Sequence, residues 1–211
     1  MRRISSPSSF LAFHGFASRT RPDAETGRSD GYALGIEYNY QTRDKIISLT
    51  AHDVSEDFAT DIGYLTRTGL PRVKAGFLPM IYPRSKVVLR IDPLFHSIQT
   101  RDKPSGLAET FNSFDLRLIL PRNTTLLAGA RYATEIFEGE RFGRSGARFV
   151  GSSQLTKWLG LNLSYLAGQK IRYVSDPYQG RGSDASFVAT VLPSLSLTMK
   201  KNDMSLLRTV S

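Results

Sequence analysis

The chain has 211 residues, 40% of them apolar, and no cysteine. That is enough for one domain with a sizeable core, and it excludes disulfides, thiolate metal sites and cysteine nucleophiles. The 28 Lys and Arg against 19 Asp and Glu give a net charge of +9, which suits nucleic acid, an anionic membrane surface or an anion-selecting lumen; the arginines are scattered one or two per segment, and nucleic acid is not expected as a partner.

No apolar run reaches the ~18 residues of a transmembrane helix. Residues 1–22 carry Arg2, Arg3, Arg19 and Arg21 with no acid before Asp23, a composition shared with transit peptides. His14 and Gly15 interrupt the stretch from Phe10 to Ala17, which is too broken for a secretory core. It reads instead as a first strand over 9–18, in a chain that begins inside a longer parent. The strongest strand follows at Tyr32 to Tyr40. Tyr32, Leu34, Ile36, Tyr38 and Tyr40 fall on one face and Ala33, Gly35, Glu37 and Asn39 on the other. Alternation over nine residues is a strand signal.

The pattern continues. Val73, Ala75 and Phe77 oppose Arg72 and Lys74. Val87, Leu89 and Ile91 oppose Arg90 and Asp92. Phe114, Leu116, Leu118 and Leu120 oppose Asp115 and Arg117. Leu126, Ala128, Ala130 and Tyr132 oppose Gly129 and Arg131, and Ala147 and Phe149 oppose Arg148. Leu161, Leu163 and Tyr165 oppose Asn162 and Ser164. Strands are expected over 9–18, 30–41, 45–54, 70–82, 86–99, 109–120, 124–134, 145–154, 159–173, 185–192 and 195–201. Residues 202–211 form an irregular tail without alternation. Short turns at 42–44, 83–85, 121–123, 155–159 and 193–194 alternate with longer polar loops at 19–29, 55–69, 100–108, 135–144 and 175–184. Short connections at one end and long ones at the other are the layout of an outer-membrane barrel. The expected fold is therefore an all-β, antiparallel up-and-down transmembrane β-barrel. It is a single domain over 1–211 with about eleven or twelve strands visible, part of a larger barrel because bacterial single-chain barrels close with even numbers.

Tyr32, Leu34, Ile36, Tyr38, Leu116, Leu118, Leu161 and Leu163 are then the lipid-facing residues, aliphatic in the middle with tyrosines toward the interfaces. Arg72, Lys74, Arg90, Asp92, Asp115, Arg117, Arg131 and Arg148 line the lumen as a charge ladder. Cross-strand pairs of this kind fix register and fill the interior; an anion-attracting passage is the functional alternative.

The segment His52-Asp53-Val54-Ser55-Glu56-Asp57-Phe58-Ala59-Thr60-Asp61-Ile62-Gly63-Tyr64-Leu65-Thr66-Arg67-Thr68-Gly69 resembles a signature loop of large, mostly uncharacterised outer-membrane proteins. That loop reads Asp-Val-Ser-x-Asp-Phe-x-x-x-x-Gly-Phe-x-x-Arg, with Tyr64 here in place of Phe. Glu135 to Gly139 and the region from Gly168 to Ile171 are similar in style. Such proteins carry a carbohydrate-binding-like β-sandwich before a C-terminal barrel. The resemblance covers the barrel part only. It implies an outer-membrane location, lipid and lipopolysaccharide as surroundings, and a glycan-binding domain or further barrel strands as partners.

Chemistry is less well marked. His14, His52 and His96 lie on separate strands. A zinc site would want two at matched height with a carboxylate, and Asp53 beside His52 points to the opposite face. No metal or cofactor is expected. His52 with Ser48, or His96 with Asp92, would be about 13 Å apart along a strand, so a hydrolytic dyad could form only across strands. No catalytic residue is assigned. Asp53, Glu56, Asp57 and Asp61 lack the Asp-x-Asp-x-Asp-Gly spacing of a calcium loop and read as solvated acids. Tyr178 to Gly182 lacks the strand-to-helix context of a phosphate loop. The expected function is an outer-membrane pore or receptor, with a glycan link through the resemblance alone. A soluble β-barrel binding an apolar or acidic ligand is the alternative, and a barrel hydrolase the second.

Overall fold

A computed structural model describes residues 8–20, 29–59 and 68–191. Alternating segments become strands throughout: β1 (Ser8–Thr20), β2 (Ser29–Gln41), β3 (Lys45–Val54), β4 (Arg72–Pro79), β5 (Arg90–Arg101), β6 (Ala108–Leu120), β7 (Thr124–Phe137), β8 (Glu140–Gly143), β9 (Gly146–Gln154), β10 (Leu159–Arg172) and β11 (Tyr178–Val191). Each pairs antiparallel with its neighbour in the chain, except that β9 returns to β7 and β8 forms a short hairpin on the end of β7. The described residues contain no helix. The architecture is an all-β, antiparallel up-and-down sheet. β1 and β11 are not paired with each other, so the sheet is open among the described residues.

The short hairpins explain themselves locally. Arg122 and Asn123 both have positive φ, 59° and 50°, and the Thr124 N–H donates to the Pro121 carbonyl at 3.3 Å. Two central residues with positive φ make the mirror-image turn that matches strand twist. Glu138 and Gly139 do the same between β7 and β8. At 42–44, the Thr42 hydroxyl accepts from the N–H groups of Asp44 and Lys45, which tightens the turn.

Three expectations change. Val87 and Leu89 belong to a ten-residue connection, 80–89, rather than to a strand. Ser85 folds it back by accepting from Val87 and Val88, and Ile81 bridges Ile91. The loop expected at 135–144 is the end of β7 paired with β8, and the one expected at 175–184 is mostly β11. The two ends therefore differ less in loop length than expected. The strand expected over 195–201 and the tail 202–211 lie outside the described residues.

The sheet is strongly curved. Ile46 on β3 and Leu166 on β10 line the same cavity. Six strand spacings separate them along the sheet, roughly 29 Å if it were flat. Only a sheet rolled around one face brings them together. The enclosed face is the polar one: Asp92 is wholly buried and Asp115 is 3% exposed, while Leu34 is 53%, Leu116 36% and Leu163 43% exposed on the outer face. The outer face also carries an aromatic ladder, Phe77–Phe95–Phe114, with ring centroids 6.3 and 4.8 Å apart. Cross-strand aromatic pairs of this kind hold register.

Candidate functional site

The enclosed face is built from cross-strand rows, because every second residue of each strand points inward. One row runs His14, Gly35, His52, Arg72, Thr100, Glu109. Another runs Asn39, Ser48, Gly76, His96, Ser113, Arg131, Gly146. Deeper rows bring Asp115, Gly129 and Arg148 into line, and Asp92 opposite Arg117.

The expected ladder resolves into two closed clusters and three separate cations. Asp92 is held between Arg90 and Arg117. The Arg90 Nη2 and the Arg117 Nε each donate to its Oδ2 at 2.9 Å. The Arg90 Nε lies 2.8 Å from Oδ1 but its N–H is not aimed there, so that contact is electrostatic only. Asp115 takes a two-pronged bond from Arg148, Nε to Oδ1 and Nη2 to Oδ2, both at 2.8 Å. Such forked pairs are the strong, geometrically specific ones. Arg72 donates instead to the Thr100 hydroxyl at 3.1 Å. Lys74, across from Thr50, and Arg131 have no ion pair among the described residues. The eight expected lipid-facing residues all fall on the outer face. Leu118 and Leu161 are half-buried there, and the other six are exposed.

A glycine makes the Asp115–Arg148 cluster possible. Asp115 and Arg148 sit on β6 and β9 with β7 between them, and they meet only because Gly129 has no side chain. A Cβ there would lie 1.9 Å from the Asp115 Oδ1. The same device recurs twice. A Cβ on Gly35 would fall 2.3 Å from the His14 Nε2 and 2.8 Å from the His52 Nδ1, and one on Gly76 would fall 2.5 Å from the Ser48 Oγ. Gly129→Ala is expected to displace Asp115 from Arg148 and to cost about 2 kcal/mol, a partly buried charge pair lost. Gly139→Ala, at a turn where a Cβ meets nothing within 4 Å, pays only the positive-φ cost of about 1 kcal/mol. Urea unfolding of the two variants side by side checks this ranking.

The three histidines lie on separate strands, β1, β3 and β5, as expected, and the register brings His14 and His52 face to face across Gly35 with ring centroids 5.5 Å apart. No group of three metal-ligating side chains forms among the described residues. His96 packs on the edge of Phe111. No hydrogen bond joins it to Ser48, its row neighbour across Gly76. Neither Ser48–His52 nor Asp92–His96 is brought together; the register instead sets His96 directly opposite Ser113, and no hydrogen bond joins the two among the described residues.

The segment carrying the loop motif has a structural part to play as far as it is described. The Tyr32 N–H donates to the Ser55 hydroxyl at 2.8 Å, and the Ala59 N–H to the Ser18 hydroxyl at 3.1 Å. Phe58 lies directly over Gly31, where a Cβ would meet its Cα at 2.4 Å. Asp53 accepts from the Lys103 Nζ at 2.7 Å and from the Tyr32 hydroxyl at 3.0 Å. That bond to Asp53 raises the Lys103 pKa above its ordinary value. The strand ends of β1, β2 and β3 are thereby tied to one another and to the 102–107 connection. Residues 60–67 of the motif, including Asp61 and Tyr64, lie outside the described residues. At the same end of the sheet Glu135 joins Arg144 and the Tyr173 hydroxyl. Burial, followed by that hydrogen bond, raises the Tyr173 pKa.

At the opposite end the connections 42–44, 80–89, 121–123 and 155–158 carry Arg43, Arg84, Lys86, Arg122 and Lys157 against the single acid Asp44. Exposed Tyr82 and Trp158 sit among them, with the Arg43 guanidinium 5.3 Å over the Tyr82 ring.

No protein-family model matches the chain, and no curated protein and no solved structure is detectably similar to it.

Proposed function

We propose that the chain is part of an outer-membrane β-barrel that acts as a pore or receptor, with a glycan link implied by the resemblance of residues 52–69. The observation that carries this reading is the inverted burial. Asp92 is fully enclosed while Leu34, Leu116, Leu163 and the phenylalanine ladder are outside. A protein surrounded by water hides its leucines and rarely buries aspartate. One surrounded by acyl chains does the reverse, with polar groups facing an aqueous interior. Exposed apolar surface spread over ten neighbouring strands far exceeds the patches of an ordinary soluble monomer.

The basic, aromatic rim supports lipid as a partner. Tyr and Trp favour the interfacial layer, and Arg and Lys beside them suit phosphate-bearing head groups. The enclosed face is cationic, so any conducted or captured solute would be selected for negative charge. The soluble alternative needs the apolar face inside. The hydrolase alternative needs a Ser–His or Asp–His hydrogen bond, and none occurs among the described residues.

Cell fractionation followed by electrophoresis with and without boiling tests location and fold together. The expected result is sedimentation with outer membranes and a mobility shift on heating. Recovery in the soluble fraction with no shift would sink the proposal. In planar bilayers, Arg117→Ala is expected to weaken anion preference without abolishing conductance; an unchanged ion preference counts against the lumen assignment.

A further inference from the structure

We propose that the cavity beside Arg131 binds a small organic monoanion with an apolar body, a carboxylate being the simplest such ligand. The cavity has a volume of about 400 Å³, within the range of sites for small molecules. Its wall is mostly apolar, with Ile46, Leu78, Leu94, Phe111 and Leu166 contributing. Polar groups converge on one stretch of it, where Arg131 stands in register with Ser113 and, beyond it, His96.

The charge balance of this face points to an anion. Nearest the cavity, Arg90, Arg117, Arg131 and Arg148 share two carboxylates, Asp92 and Asp115, and both are already engaged; Glu37 and Glu109, also inward, stand in other rows. Asp92 is shared by Arg90 and Arg117, and Asp115 is fully used by Arg148. Arg131 is left over. Its Nε is buried and has no hydrogen-bond partner, a state that costs about 1–3 kcal/mol and is uncommon in folded proteins. On its far side Arg131 borders a second cavity with Glu109, Glu135 and Arg144. There Glu135 is taken by Arg144 and Tyr173, and a Glu109 oxygen accepts from the Ile136 N–H. A ligand oxygen is therefore the natural partner for the buried N–H. One unpaired guanidinium matches one negative charge, and a forked carboxylate fits its planar donors. The apolar wall then excludes small hydrated anions as good ligands, because they would leave it wet. A cation would meet a surplus of positive charge.

The inference stands on the curled sheet and its unpaired arginine, and does not rest on a membrane location. The test uses the full chain, folded in buffer or in a nonionic detergent. Binding is measured for 2-naphthoate, for neutral 2-naphthamide and for acetate. The expected order is naphthoate about tenfold or more tighter than either of the others, with Arg131→Gln removing the preference for naphthoate over naphthamide. Equal binding of naphthoate and naphthamide, no binding of naphthoate, or a folded Arg131→Gln variant that binds as before would each overturn the proposal. Should Arg131→Gln not fold, Leu166→Trp decides: it fills the apolar wall and is expected to weaken naphthoate about tenfold while leaving acetate alone, and unchanged naphthoate affinity would refute the site.

Discussion

Asp92→Ala lowers the unfolding free energy by about 3 kcal/mol. Removing the buried member of an ion cluster leaves two guanidiniums facing each other across β5 and β6, and uncompensated buried charge costs about 3–5 kcal/mol. The lower end applies because the side chains of Arg90 and Arg117 are 29% and 38% exposed, so water can hydrate part of what is freed. Asp92→Asn keeps the shape and an acceptor for both arginines and should lose about half as much. A double-mutant cycle sharpens the test. Asp92→Ala combined with Arg117→Ala should be less damaging than the two single effects added, by about 1 kcal/mol or more, because the pair is in direct contact. Additive effects would mean that the cluster seen here carries no coupling energy. The single tryptophan, Trp158, sits exposed in the connection between β9 and β10 and gives a fluorescence readout for urea titrations.

Leu163→Arg, with the protein folded into lipid vesicles, costs about 2–4 kcal/mol if the outer face meets hydrocarbon. On a water-facing surface the same change stays within about 0.5 kcal/mol of zero. Leu163 suits the test because it lies mid-strand in β10, paired with Gly151 on one side and Phe187 on the other. Ser164→Arg next to it is the control. Ser164 points to the enclosed face opposite Val150 and Ser186, where a further arginine meets water and should cost little. A large penalty at 163 with a small one at 164 supports lipid outside; equal small penalties remove that support.

Much of the architecture could be read from period-two alternation. Tyr32 to Tyr40 becomes β2, and the expected strands from 9–18 to 185–192 each overlap an observed one. Alternation also misled. Val87 and Leu89 continue the pattern of β5, but the hydroxyl of Ser85 captures the adjacent N–H groups and turns the chain before pairing is established. β8 was missed because Glu140 to Gly143 is too short to display a period, and only its register against Thr134 to Phe137 makes it a strand. The inward set of charges was legible because side-chain direction follows parity. Which cations are satisfied was not. That depends on strand offsets, so Arg131 looked equivalent to Arg148 in the chain although only Arg148 reaches a carboxylate. The glycines between partners were invisible for the same reason: Gly129 matters only once Asp115 and Arg148 are known to flank it.

Those side-chain-free gaps have a consequence for assembly. An ordinary cross-strand contact reports on two ribbons, whereas a bond spanning Gly129 forms only when three are aligned together. A hairpin displaced by one residue would turn its guanidinium toward the wrong surface and would present the methyl group of Ala128 or Ala130 where the carboxylate must pass. Mispaired intermediates would forfeit the bond entirely instead of retaining a weakened version of it. Spanning contacts of this sort thus act as alignment checks, granting the last increment of stability only to a correctly threaded chain.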